Sequence, residues 1–368
     1  MRLTSLRVAS FRNIELAQVA PGRIFNLLYG KNGQGKTNFL ESIFLLGNPR
    51  SFRSVRYSDL IREGTDRAYV CGDIESGGNI SRVALTMETA GRRVEIDQKG
   101  IKKASELHGR VNVVIFSPDD TGMVKTGPES RRRYLDRVVY SADLGYLTCW
   151  HDYHRILKHR NQLLKCADRT GIDVWTEKLA LSGAEVIVRR RGFVSQLNAQ
   201  FQQHYRTISG GNESADVTYR PEGIGSDDHG SIFEELLQIF SRNSRKDELL
   251  GTTSAGPHRD DLTFTLDGRP LKSFGSQGQQ KSFVLALKMA EMDNLQKIFG
   301  EPPLVLLDDL SSELDPGRTA NLLDFLGSRD IQVFITTTEP SSKLMTLSEC
   351  SVFRMENGNL TYEGTKTR

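Results

Sequence analysis

The sequence predicts an α/β protein: a discontinuous body built from both ends of the chain, interrupted by a helical insertion. Three observations carry this. Short apolar strands stand near both termini, RIFNLLYG at Arg23–Gly30, PLVLLDD at Pro303–Asp309 and IQVFITTT at Ile331–Thr338, the runs expected of buried parallel strands. Between them, Glu129 to about Leu164 and Val174 to about Thr207 are helix-rich and loaded with Arg, Lys and Gln. Finally, 38% apolar and 26% charged residues over 368 positions are those of a globular protein large enough for one big domain or two ordinary ones.

In chain order, LTSLRVASF (Leu3–Phe11) and RIFNLLYG read as two strands, and KTNFLESIFLLG (Lys36–Gly47) as the helix that follows. Residues 67–116 read as β: AYVCGDI, RVALTMET and RRVEIDQKG with Gly turns between, then the apolar VNVVIF. The texture changes near Pro128 to the two helical stretches, joined by the turn ADRTGID (Ala167–Asp173). Residues 209–229 are loop-like around a short strand, DVTYR. The β pattern resumes at DLTFTLDGRPL, where Asp267-Gly268 is a hairpin turn, followed by GSQGQQ, the helix KSFVLALKMAEMDNLQKIF, PLVLLDD, a helix after Asp315 and IQVFITTT. The expected division is 1–128, a helical arm 129–250, and 251–368.

No apolar run reaches the roughly 18 residues of a membrane span, and MRLTSLRVASFRN carries charge where a signal peptide needs its apolar core. A cytoplasmic protein is expected. Cys71, Cys149, Cys166 and Cys350 form no CxxC pair, which argues for reduced thiols and against zinc or disulfides. A net charge of +3 does not by itself predict nucleic acid; clustering of the cations decides.

GKNGQGKT, Gly30–Thr37, fits G-x-x-x-x-G-K-[ST] and stands after an apolar strand and before a helix, the context the P-loop requires. Backbone N–H groups of Gly30, Lys31, Asn32, Gly33, Gln34 and Gly35 are expected to curl around phosphate oxygens, with the helix N-terminus adding its positive end. Lys36 is placed to reach the β- and γ-phosphates of ATP and Thr37 to hold Mg²⁺. In LVLLDD, a buried strand delivers Asp308 to the same metal and Asp309 to the attacking water.

GSQGQQ at Gly275–Gln280 resembles the signature segment of ABC-type ATPases, in which Ser and Gly at a helix N-terminus bind a γ-phosphate. The resemblance implies that Ser276, Gly278 and Gln279 contact the ATP of a second chain, so that two chains sandwich two nucleotides. The plainer reading is an N-capped helix with a Gly entrance. SSELDP, Ser311–Pro316, resembles the D-loop of the same ATPases, with Asp315 at the interface; Asp315 equally fits the N-cap of the next helix, with Pro316 at N1. Where that family has a His after the last core strand, this chain has Thr337 or Thr338. A hydroxyl bonds a γ-phosphate but shares no proton at neutral pH. With Asp309 in place of the usual Glu, slow hydrolysis is expected.

Taken over nearly the whole chain, SLRVASFRN, GKNGQGKT, IFSPDDTGMVKTGPESRRRYLD, TSAGPHRDDL, GSQGQQKS and LLDDLSSELD resemble the RecF family of bacterial recombination-repair ATPases, of the SMC-like branch of ABC ATPases. IFSPDD and AGPHRDD have no mechanism derivable from the residues alone. The resemblance implies an ABC-type head with an inserted arm and ATP-dependent homodimerisation on double-stranded and gapped DNA. It further implies weak DNA-stimulated ATPase activity, recombinase loading at single-strand/double-strand junctions, and RecR and RecO as partners.

Charge clustering adds a partial argument. Arg131, Arg132 and Arg133, then Arg189, Arg190 and Arg191, are candidate phosphate contacts, and Arg155, Lys158, His159, Arg160 and Lys165 fall on one expected helix; the alternative for each cluster is a solvated helix face. Arg12 and Asn13 are candidates for nucleotide or DNA contact or for a surface turn, and His258 and Arg259 for a structural charge cluster. The competing functions are a membrane-transporter ATPase subunit, a P-loop kinase and a DNA clamp that binds ATP without turnover.

Overall fold

The computed structural model describes residues 1–366 apart from 49–50, 54–55, 167, 211–212, 310–315, 340–343, 345–346 and 348. Of the expected D-loop, Ser311–Asp315 therefore lie outside the described residues, and Pro316 opens the helix that follows. The chain forms two compact units, Met1–Asp120 with Glu291–Arg368, and Thr121–Ala290. The segment 251–290, expected with the C-terminal part of the body, thus belongs to the inserted unit, and the signature residues go with it.

The first segment carries β1 (Arg2–Phe11), β2 (Ile14–Val19), β3 (Phe25–Tyr29), α1 (Lys36–Gly47), β4 (Arg67–Ser76), β5 (Asn79–Glu88), β6 (Gly91–Ile96), β7 (Lys99–Gly100), β8 (Val113–Phe116) and α2 (Pro118–Lys125). The insertion continues with α3 (Pro128–Ala142), α4 (Leu144–Lys165), α5 (Ile172–Ser209), β9 (Ala215–Arg220), α6 (His229–Leu250), β10 (Asp261–Leu266), β11 (Arg269–Pro270), α7 (Leu271–Phe274) and α8 (Gln277–Phe299). The last segment holds β12 (Leu304–Leu307), α9 (Pro316–Gly327), β13 (Val333–Thr337), β14 (Cys350–Glu356) and β15 (Asn359–Lys366).

In the first unit, one sheet runs β15-β14-β3-β13-β12-β8, and all but the edge strand β15 are parallel. Its central strands are buried throughout, LVLL in β12 and VFITT in β13, as a sheet covered on both faces demands. Parallel pairing puts the C-terminal ends of β3, β13, β12 and β8 along one edge, where ligands bind in open α/β sheets. The second sheet, β2-β1-β4-β5-β6-β7, is antiparallel. Its inward-facing Leu6, Val8, Val70 and Leu85 share a core with Phe39, Ile43 and Leu46 of α1, so the alternating pattern of these strands covers the P-loop helix.

The inserted unit packs α3–α6 and a three-stranded sheet, β11-β10-β9, around Tyr153, Ile187, Phe201, Phe240 and Phe283. The helical stretch expected over 129–164 is broken at Asp143, whose carboxylate accepts from the Gly145 N–H (2.8 Å) and caps α4. Asp267-Gly268 turns with both φ positive, 49° and 73°, the hairpin geometry expected of that pair.

Three of the arginines expected on the surface, Arg131, Arg160 and Arg190, are buried, and three more are half-buried. Arg190, 2% exposed, donates to Asp136 (2.6 Å), the Pro257 carbonyl (2.7 Å) and the Tyr146 hydroxyl (2.9 Å). Arg131 forks onto Asp261 at 2.8 and 2.7 Å and also reaches the Met123 and Thr126 carbonyls. Arg132 donates to the Asp260 carbonyl (2.8 Å), Arg189 pairs with Asp143 and Glu185, and Arg191 reaches the Ile224 carbonyl and Asp227. Of the two triplets only Arg133 is exposed, beside Glu129 one turn away. Arg160 is buried as well, on Asp247 (2.9 Å) and Thr253 (2.7 Å). The buried guanidiniums of Arg131 and Arg190 are engaged with carboxylates and carbonyls of their own unit, so Arg131 and Arg190 are corrected from DNA contacts to parts of the fold.

The same web gives AGPHRDD its physical meaning. Pro257 offers its carbonyl to Arg190, His258 Nδ1 stands 2.6 Å from the Tyr153 hydroxyl, Tyr219 donates to Asp260, and Asp261 takes Arg131. Burial pushes the His258 imidazole down to about 4, so it stays neutral as a hydrogen-bonding group. IFSPDD is a helix start: the Ser117 N–H donates to Asp120 (2.7 Å), a cap for α2 with Pro118 in its first turn.

Truncating a buried, paired arginine leaves its carboxylate uncompensated. Arg190→Ala or Arg160→Ala is expected to lower stability by about 3–5 kcal/mol, and Arg155→Ala, on an exposed pair with Asp152, by less than about 0.5 kcal/mol. Urea unfolding followed by circular dichroism distinguishes the two classes.

Candidate functional site

The site lies along the edge where the parallel strands end. After β3, residues 30–35 turn back on themselves, with positive φ at Gly30 (156°), Gly33 (78°) and Gly35 (113°), a path that only glycine follows freely. A side chain at Gly30 would also put its Cβ 2.2 Å from the Met355 carbonyl oxygen on β14. The loop opens into α1, and the Gly35 carbonyl takes the first helical bond, from Phe39 N (2.9 Å).

Lys36 folds over this loop. Its ammonium donates to the Gly30 carbonyl (2.6 Å) and the Lys31 carbonyl (3.0 Å). Burial holds its pKa below that of an ordinary lysine, and the charges of Asp309 and Asp308 oppose the shift.

Thr37 and Asp308 meet, as the P-loop reading requires: Thr37 Oγ1 donates to Asp308 Oδ1 at 2.9 Å. A second hydroxyl, that of Thr336, donates to the same oxygen at 2.8 Å and accepts the Asp309 N–H at 2.9 Å. The register explains why. β12 and β13 pair Leu307 with Ile335, so Asp308 and Thr336 are the next residues along neighbouring strands. Burial raises the Asp308 pKa, and the two hydroxyl bonds work against that rise. Asp309 sits just beyond the strand with φ 50°, a left-handed conformation that its N–H bond to Thr336 holds.

The expected γ-phosphate residue, Thr337, is fully buried, and its hydroxyl donates to the Glu339 carbonyl (2.9 Å). Thr338, the alternative position, is half-buried just beyond β13. The threonine hydroxyl bonded to the Asp308 carboxylate and to the Asp309 N–H is thus that of Thr336, placed there by pleat and register.

Arg12 and Asn13 brace the loop from below. Asn13 Nδ2 donates to the Gln34 carbonyl (3.1 Å), and Asn13 Oδ1 accepts from Asn38 (2.8 Å), which in turn accepts from Arg53 (2.8 Å). Arg12 forks onto the fully buried Glu41 of α1 at 2.8 and 2.7 Å. The turn between β14 and β15 closes the other side: the Gly358 N–H donates to the Gln34 carbonyl (2.9 Å) and the Asn357 N–H to Gln34 Oε1 (2.6 Å). Gly358, φ 80°, leaves no room for a side chain, since a Cβ would stand 2.1 Å from the Asn13 carbonyl oxygen.

Thr37 and Asp308 are hard oxygen donors side by side. That suits Mg²⁺, which takes one or two protein oxygens and fills its shell with water and phosphate. Among the described residues, no group of three or more His, Cys, Asp or Glu forms a metal site by itself.

In the inserted unit, Ser276 and Gln279 form a reciprocal cap at the start of α8. The Ser276 N–H donates to Gln279 Oε1 (2.7 Å) and the Gln279 N–H to Ser276 Oγ (3.2 Å), the capping-box geometry. Ser276 is exposed and Gly278 half-exposed. The Gln279 side chain serves this cap and donates to Glu213 (2.6 Å).

The RecF/RecN/SMC N terminal domain family matches residues 2–361. The chain is 50% identical to the DNA replication and repair protein RecF of Trichlorobacter lovleyi over the whole of both chains. It is 44% identical to that of Geobacter sulfurreducens, over 98% of this chain and 100% of the other. A solved structure described as the recombination mediator protein RecF-ATPrS in the RecFOR pathway superposes with a TM-score of 0.91 at 30% identity, covering 99% of this chain and 98% of that one. The Smc head domain of Pyrococcus furiosus, at 16% identity and a TM-score of 0.56 over 99% and 96% of the two chains, shares the fold. The chain, matched from end to end by such relatives, belongs to the RecF family of the RecF/RecN/SMC N-terminal-domain proteins.

Proposed function

We propose that this chain is a DNA-binding ATPase of recombinational repair and replication restart, which homodimerises with ATP on DNA. The observation that carries it is the contact of Thr37 with Asp308 beside a lysine-capped glycine loop. ATP phosphates would accept from the loop N–H groups and the Lys36 ammonium, and Thr37 and Asp308 would hold Mg²⁺, whose charge would offset that of the phosphates. Asp309 orients a water toward the γ-phosphorus and accepts its proton, giving ADP and phosphate. A short carboxylate, with threonines where a histidine would share the proton, makes turnover slow. Ser276 and Gly278 of one chain complete the phosphate site of the other.

The relatives' names and the RecF-ATPrS structure from the RecFOR pathway support ATP as nucleotide, DNA as target and RecR and RecO as partners. Double-stranded and gapped DNA, recombinase loading at single-strand/double-strand junctions, DNA-stimulated turnover and a cytoplasmic location complete the reading. The transporter-subunit alternative is not favoured by these relatives. With the arginine triplets largely engaged in the fold, the exposed cations of α4, Arg155, Lys158 and Lys165, are the better phosphate contacts.

The primary test is ATP turnover per chain against protein concentration, with and without gapped duplex. A rate that climbs with concentration and with DNA supports the composite site; a flat rate sinks it. Lys36→Met is expected to abolish nucleotide binding in a fluorescent-ATP titration, and Ser276→Arg to keep binding and lose dimerisation in sedimentation. Thr336→Val removes both bonds of the bridging hydroxyl at constant volume, so turnover should fall by about 10-fold or more while ATP affinity changes little; Thr336→Ser should restore it. Replacing Arg155, Lys158 and Lys165 with alanine should flatten the log–log salt dependence of DNA binding by about 0.9 per lost phosphate contact, equally for all sequences.

A further inference from the structure

The hydrogen bonds around Ser276 continue past the signature motif to Glu213, which precedes β9, far from the signature in sequence. Gln279 Nε2 donates to Glu213 Oε1 at 2.6 Å, and the other oxygen of that carboxylate, Oε2, accepts the Tyr205 hydroxyl at 2.7 Å. A carboxylate accepts only, so Glu213 fixes which end of the Gln279 amide is the NH₂. Gln279 Oε1 is thereby turned onto the Ser276 N–H.

The far end of this chain of bonds is rigid. Tyr205, in the last turn of the 38-residue α5, is 1% exposed, with its ring 6.0 Å from both Phe201 and Phe283. The neighbour of Glu213 is pinned too: Ser214 N donates to Asp267 Oδ1 (2.8 Å) and Asp267 N to the Ser214 carbonyl (2.7 Å). β9 and β11 both pair with β10, at Ala215↔Leu266 and Leu266↔Arg269. β9 and β11 both begin at the Leu266 end of β10, so Glu213, just before β9, stands at the end of the small sheet where β11 starts.

We propose that Glu213 is the positioning residue of the signature, holding Gln279, and through it Ser276, in the geometry that receives the second chain's nucleotide. With the Ser276 N–H satisfied by Gln279 and Ser276 Oγ accepting from the Gln279 N–H, the Ser276 hydroxyl proton remains to donate to a phosphate oxygen. The N–H groups of Gln277 and Gly278, in the first turn, have no acceptor within their own helix. The arrangement makes the phosphate-facing donors ready before any nucleotide arrives, the general route by which preorganisation strengthens binding. It also ties the signature to the C-terminal turn of α5, so a movement of that helix shifts Glu213 and with it the cap.

This inference rests on the two-chain site proposed above, and its test separates the two. Dimerisation of the full chain with ATP is followed by sedimentation over a range of protein concentrations, alongside ATP affinity of the single chain and thermal unfolding. Glu213→Ala should raise the concentration at half-dimerisation about 10-fold, with single-chain ATP affinity within about twofold. Glu213→Gln keeps both contacts, accepting from Gln279 and donating to Tyr205, and should dimerise close to the parent. Should Glu213→Ala fold poorly, Gln279→Glu serves instead: it sets two carboxylates together and should weaken dimerisation, and adding Glu213→Gln should restore it. If Glu213→Ala dimerises like the parent while Ser276→Arg does not, the positioning role is wrong and the two-chain site stands. If Ser276→Arg also dimerises normally, the two-chain site falls and the role of Glu213 falls with it.

Discussion

The parallel register of β3, β13 and β12 is the constraint on which the candidate active edge depends. Those strands begin at Phe25, Val333 and Leu304, far apart in sequence, and only their pairing brings Gly30, Thr336 and Asp308 to one edge. A slip of one residue in β13 would turn Thr336 away from Asp308 and present a neighbour, because side chains alternate along a strand. The full burial of VFITT and LVLL on both faces fixes that register through packing. The site's precision is thus borrowed from the hydrophobic core beneath it, and the two hydroxyls on Asp308 are its outermost layer.

The inserted unit solves a different problem by a related route. It buries Arg131, Arg160 and Arg190 with carboxylates and carbonyls that match their donors. Such pairs contribute little net stability but heavily penalise any arrangement that leaves one member alone. The consequence is geometric: α3, α5 and the 255–261 segment meet in the one way that satisfies every donor of Arg190 and Arg131. The short sheet flanked by Glu213 and, after β11, by the signature is seated on this polar framework through Asp261, the first residue of β10.

Much of the nucleotide edge is legible in the sequence because its signals are local. Gly30–Thr37 states its own turn, and LVLLDD states a buried strand ending in carboxylates. What escapes is whatever depends on tertiary position. Thr336 and Thr337 are indistinguishable as letters, and only the pleat decides which one touches Asp308. Two arginine triplets look like surface clusters, yet Arg131 and Arg190 are buried against carboxylates up to 130 positions away, as between Arg131 and Asp261. The Ser276…Gln279 cap follows a spacing rule, whereas its anchor at Glu213 follows none. The C-terminal hairpin is a different case. Asn357-Gly358, with φ of 48° and 80°, is a hairpin signal as local as that of the glycine loop, yet nothing in it tells that the turn meets Gln34.

That hairpin makes the loop a long-range structure. Gln34 is held by the N–H groups of Asn357 and Gly358, and Gly30 lies against Met355, so residues 30–35 take their shape from a turn 323 positions further along the chain. Contacts of such separation cost the most loop-closure entropy and form after local ones, which makes the finished loop a late event in the folding of its unit.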